Sequence, residues 1–181
     1  MRFGYCLIVL SACGSDPVSF SMPVGIALKA TSSDVSNSVL SDDKAITTES
    51  ANPYGMFVSD ARTRLGKDPS RIEIDKLTLI LGAQSTRVVA LDEIYAGDVD
   101  VAFIMNDTNA TYDVGHATNP SGVGPVDVHV TFESAGMAAA DFAKLLGGSF
   151  KVVLRGLAAT QFAAKGAEAD LQLTFTFAAF E

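Results

Sequence analysis

The residues best equipped for chemistry gather in one short stretch. Asn106 to Pro125, NDTNATYDVGHATNPSGVGP, holds Asp107, Tyr112, Asp113, His116, Asn119 and Ser121. Asp, His and Ser together suggest a hydrolase, with Ser121 as nucleophile and His116 as its base. Such a constellation works only when rigid elements hold its members within fractions of an ångström, and they usually come from distant parts of the chain. A glycine-rich stretch does the opposite, and no Gly-x-Ser-x-Gly elbow is present. The segment Pro-Ser-Gly-Val-Gly-Pro also lacks the Gly-Lys-Ser/Thr and helix start of a phosphate-binding loop. The stretch is expected to be a long hairpin connection, with no catalytic role. Because loops on a rigid scaffold so often carry recognition, it is also the expected binding loop.

A second constellation alternates with valines. Asp98 and Asp100 share the outer face of one expected strand, and Asp127 and His129 share that of another. Were these strands paired, Asp100, Asp127 and His129 would approach one another and offer a weak Ca²⁺ site. Zn²⁺ would want more ligands than two histidines and no free thiol supply. Polar residues between valines are also what any half-exposed strand shows, so no metal and no cofactor is expected. Sugars usually stack on exposed aromatics. This chain has no Trp, and most of its 11 Phe fall at apolar strand or helix positions. Tyr54, Tyr95 and Tyr112 are left as surface candidates.

Composition narrows the partners. A net charge of −8 with no basic cluster gives no electrostatic footprint for nucleic acid, and anionic lipid head groups would repel it. Both cysteines, Cys6 and Cys13, lie near the N-terminus, so the remainder must be held by its core and its sheet hydrogen bonds. At 181 residues the chain suits one domain.

The N-terminal order is Arg2, then the apolar run Gly4 to Leu10, then Leu10-Ser11-Ala12-Cys13, followed at once by Gly-Ser-Asp-Pro. Charge, apolar stretch and small residues in that order form a secretory signal. The tetrapeptide resembles the lipobox of bacterial lipoproteins. That resemblance implies a signal peptide over 1–12, lipidation of Cys13, and anchoring by several acyl chains. With Gly14 after the cysteine, it implies the outer membrane in a cell that has one. Residues 13–17 would form a short tether, and 18–181 a single domain. No later apolar run approaches the ~20 residues of a helical span, so the domain itself is expected to be soluble.

The elements follow from periodicity. Val18 to Leu28 alternates as a strand, with Pro23 marking an edge or bulge. Residues 31–43 are polar and serine-rich and predict a long surface loop. Asn52-Pro53 opens a helix with Phe57, Ala61 and Leu65 on one face, stopped by Gly66 and Pro69. Arg71 to Leu81 predicts a strand whose phase slips between Ile74 and Leu77, as at a β-bulge. Part of Val88–Ile94, Val99 to Met105, Val126 to Phe132, Phe150 to Leu154 and Leu171 to Phe177 alternate as further strands. A second helix spans about Ala138 to Leu146, with Phe142, Leu145 and Leu146 inward. The fold class is mainly β, an antiparallel β-sandwich, immunoglobulin-like or related, with one or two short helices. The order of elements in the second half resembles the immunoglobulin-like domains of late-embryogenesis-abundant proteins, without a specific motif.

The expected function is that of a lipid-anchored, non-catalytic binding or structural module outside the cytoplasm, with a protein or small molecule as its partner. A hydrolase or metal-dependent enzyme using the 106–125 loop is the alternative from another class. A carrier of hydrophobic ligands is the third, and it would need an unfilled interior.

Overall fold

The computed structural model describes residues 18–49 and 52–181. Cys6, Cys13, the signal sequence and the whole tether lie outside the described residues. In chain order the elements are β1 (Ser19–Thr31), β2 (Val35–Ser36), β3 (Val39–Ile46), α1 (Pro53–Leu65), β4 (Arg71–Leu81), β5 (Tyr95–Met105) and β6 (Thr111–Ala117). They continue with β7 (Val126–Asp127), β8 (His129–Val130), α2 (Ala139–Leu146), β9 (Phe150–Ala158), α3 (Thr160–Lys165) and β10 (Glu168–Phe180).

Two antiparallel sheets form, one in the order β1-β10-β4-β7 and the other in the order β2-β3-β9-β5-β6-β8. The molecule is thus mainly β, with the two-sheet, few-helix build of a β-sandwich. β1 is an edge strand paired along its whole length with β10, which places Pro23 opposite Thr176. An edge accepts proline where a central strand would lose a ladder bond. In β4, Ile74 faces Phe177 and Lys76 faces Thr176, so Asp75 is the extra residue of a bulge. The bulge returns Ile72, Ile74, Leu77, Leu79 and Leu81 to one buried face, as the phase slip in the sequence predicts.

The inner faces meet through aromatic rings. Phe103 of β5 packs at 4.9 Å from Phe150 and 5.9 Å from Phe175, between ring centres. Phe177 stands 5.2 Å from Phe175 and 5.3 Å from Phe57 of α1. The helix begins where the Asn52 side chain accepts the Tyr54 N–H at 3.0 Å, and it ends on Gly66 in the left-handed region, φ 71°. Its Tyr54 hydroxyl donates to the Leu145 carbonyl at 3.0 Å, which ties α1 to α2. No helix among the described residues is long and apolar enough to cross a membrane.

Several expectations need correction. Half of the predicted 31–43 loop is sheet: β2 and β3 form a hairpin turned by Asn37 and Ser38, both at positive φ. On the inner face of β3 only Leu40 and Ile46 are buried apolar residues, with Asp42 and Lys44 between them, so the apolar period was too sparse to read. Val88–Ile94 is not a strand; Leu91–Glu93 is a 3-10 turn. Val126 to Phe132 is not one strand but two short ones, β7 and β8, lying in different sheets. Among the described residues there are three short α-helices, the six-residue α3 being one more than the sequence suggests. In α2, Leu145 is fully buried while Phe142 and Leu146 are only half-buried.

Asp42 Oδ2 and Tyr95 Oη are buried without a hydrogen-bond partner among the described residues. Burial raises the Asp42 carboxyl above its ordinary value, helped by the charges of Asp34 and Asp43 and opposed by N–H donors of Asp43 and Lys29. Burial likewise raises the Tyr95 phenol, and Asp42 adds to that. A carboxyl raised on folding adds stability below its unfolded value and loses it as pH climbs through the folded one, so ionised Asp42 destabilises at neutral pH. Asp42→Asn should therefore raise the urea midpoint at pH 7. The gain should shrink toward pH about 4, where aspartate takes up its proton in any case. Phe177→Ala should cost about 3–5 kcal/mol, seen as a lower urea midpoint at unchanged slope.

Candidate functional site

Along β5, Val99, Val101, Phe103 and Met105 point into the core, so Asp98, Asp100, Ala102 and Ile104 must point outward. The register then sets their neighbours. Asp100 stands opposite Arg155 of β9 on one side and His116 of β6 on the other, and His116 stands opposite His129 of β8. Arg155, Asp100, His116 and His129 thus form one row across four strands on the outer face of the six-stranded sheet.

Two local features make the row possible. Between Val101 and Ala102 the β5–β6 register shifts, with Val114 as the extra, fully buried residue. This bulge lets Asp113 and His116, three positions apart, share the outer face. Gly115 lets β8 lie close against β6: a Cβ there would come within 2.2 Å of the His129 carbonyl oxygen. The two imidazole rings end 5.4 Å apart between centres, inclined at 64°. A recess of ≈ 450 Å³ opens over this face, lined among others by Asp100, Ile104, Thr111, Asp113, His116 and Arg155. A larger one, ≈ 990 Å³, lies beyond β8, between the outer edge of β4 and residues 127–135. Four of its flanking charges are paired, Arg71 with Glu73 at 3.1 Å and Lys76 with Asp127 at 3.5 Å.

The expected binding loop is therefore not one loop. Thr111–Ala117 is strand β6, and only residues 106–110 and 118–125 are irregular. Asp113 and His116 line the smaller recess. Asp107, in the turn between β5 and β6, lies 3.5 Å from Lys144 of α2. The Tyr112 hydroxyl donates to Asp141 of α2 at 2.8 Å, and Thr108 donates to the same carboxylate at 2.9 Å. That bond to Asp141 raises the Tyr112 phenol above its ordinary value. Asp107 and Tyr112 thus hold α2 in place. Asn119, at φ 43°, donates its N–H to Asp98 at 3.0 Å. Ser121 is exposed, and its neighbour Gly122 is held by Asp92 and by Leu91. No hydrogen bond links Ser121 to His116 or Asp113, and Ser121 does not line their recess.

The expected trio of Asp100, Asp127 and His129 does not assemble. Asp127 belongs to the other sheet, opposite Thr78 and beside Lys76. Among the described residues no group of three His, Cys, Asp or Glu has the spacing of a metal site. Tyr54 and Tyr95 are core residues, 0% and 2% exposed, and offer no surface to a sugar. Arg155 was missed as a site residue, although the alternation of Phe150, Val152 and Leu154 already put it on the opposite face.

Asp141 is 5% exposed and accepts two hydroxyls. Asp141→Ala should cost about 1–3 kcal/mol through those stranded donors. It should also lower the pH at which Tyr112 ionises, followed by ultraviolet titration against a Tyr112→Phe reference.

Compared with known proteins, the chain matches no family model and no curated sequence.

Proposed function

We propose that this protein is a non-catalytic binding module, held at the cell envelope by a lipid on Cys13, and that it recognises its partner on the outer face of the six-stranded sheet. The observation that carries the reading is the recess over Asp100, Asp113, His116 and Arg155. Its polar side chains project from paired strands, so their spacing is fixed by the ladder and needs no loop to order on binding. Charges of both signs beside the apolar Ile104 and Ala102 suit a ligand with polar groups on an apolar frame, such as a peptide segment or a small polar molecule. The hydrolase reading lacks its geometry, because Ser121 lies apart from the imidazole that would activate it. The carrier reading lacks its space, because Phe103, Phe150, Phe175 and Phe177 fill the layer between the sheets.

The anchor rests on the sequence alone, on Leu10-Ser11-Ala12-Cys13 after Arg2 and the apolar run and before the polar break. Its direct test is mass spectrometry of the membrane-associated protein together with a Cys13→Ala variant. The expected result is an acylated N-terminus at Cys13 and release of the variant into the soluble fraction. An intact Met1 start, or unchanged membrane association, would sink the claim. For the binding face, Arg155→Glu should abolish the protein's effect in cells, whereas Ser121→Ala should leave it unchanged. The reverse pattern would restore the hydrolase.

A further inference from the structure

The chain has two histidines, and the fold sets them directly opposite each other on adjacent strands. We infer that His116 and His129 form a two-nitrogen site for a divalent transition cation of the Zn²⁺, Ni²⁺ or Cu²⁺ class, with Asp100 as the adjoining carboxylate.

When imidazole nitrogens bind a tetrahedral cation at about 2.1 Å, the two ring centres stand about 5 Å apart. The rings of His116 and His129 stand 5.4 Å apart, inclined at 64°. Reaching a shared cation then asks only for side-chain rotation on a fixed backbone. That backbone is held by the close approach at Gly115 and by the Thr131 N–H, which donates to the Val114 carbonyl at 2.9 Å. Among the described residues no hydrogen bond or ion pair occupies either ring, so neither must give up such a partner to bind.

Electrostatics point the same way. Asp100 faces His116 across the β5–β6 ladder, and Asp113 lines the same recess, in a chain whose net charge is −8. Arg155 opposes a cation, but Asp100 stands between it and His116 in the row. Imidazole ligands select borderline transition metals over Ca²⁺ and Mg²⁺, which take oxygen. With no third ligand at metal spacing among the described residues, the cation would keep open coordination positions. Those positions lie on the ridge between the two recesses, since His116 lines the smaller and His129 the larger. The site does not require the recess to bind anything else, so it stands or falls separately from the proposed function.

The test is calorimetric titration of the full chain with Zn²⁺ and with Ni²⁺. One equivalent should bind, tenfold or more weaker in His116→Gln and equally so in His129→Gln, with a smaller loss in Asp100→Asn. Because Cys6 and Cys13 could bind these metals, the titrations are repeated in a Cys6→Ser/Cys13→Ser background. Binding that persists there supports the site, and binding that vanishes overturns it. Either histidine variant binding as tightly as the parent also overturns it. Nuclear magnetic resonance of the unmodified histidines gives a readout free of any folding defect: Ni²⁺ should broaden the ring signals of both, and broadening of one or neither rejects the pair.

Discussion

The ring of Phe177 touches Tyr54, Phe57, Phe103 and Phe175, and through that contact one helix and both sheets share a single packed layer. A side chain buried on one face of a strand commits its neighbours to the other. Because Phe103 is inside, Ala102 and Ile104 are outside, and Asp100 with them. A slip of β5 by one residue would bury Asp98, Asp100 and Ile104 together and expose four apolar residues. The aromatic layer therefore fixes the polar row on the far side of the sheet, although no aromatic ring of the core belongs to it.

Irregular positions supply what regular pairing cannot. The bulge at Asp75 keeps β4 in phase with the core on both sides of a kink. At Val114 a bulge of the same kind has a different consequence, since it delivers both Asp113 and His116 to one face. The chain then leaves one sheet for the other around Val128, whose N–H still donates to the Leu77 carbonyl at 2.9 Å. This crossing separates Asp127 from His129 by two residues in sequence and by a change of sheet in space.

That crossing also explains the main failure of the sequence reading. Val126, Val128, Val130 and Phe132 keep a period of two, and periodicity carries no information about which strand is the partner. The long strands were legible because each buries four or more apolar residues in phase, as β1, β4, β5 and β10 do. α1 was legible from its caps, Asn52-Pro53 and Gly66. β3 was not, because half-buried Asp42 and exposed Lys44 interrupt the apolar alternation between Leu40 and Ile46, and β6 was not, because turn-forming residues and a bulge interrupt its alternation. The row of Arg155, Asp100, His116 and His129 draws on four strands whose order in the sheet differs from their order in the chain. Its individual members could be placed on outer faces from sequence, but their adjacency could not.

The long pairing of β1 with β10 has a consequence for timing. β10 lies between β1 and β4, so the sheet they form lacks a central member until residues 168–180 are available. Until then β1 has no partner in its own sheet, and β4 presents an open edge. Contacts between such distant parts of a chain form slowly, because a long loop must close before they gain anything. A polypeptide emerging from its N-terminus therefore leaves this sheet unfinished until β10 is out. With β1 unpartnered and the edge of β4 open, a chain in that state is most exposed to sticking to its neighbours.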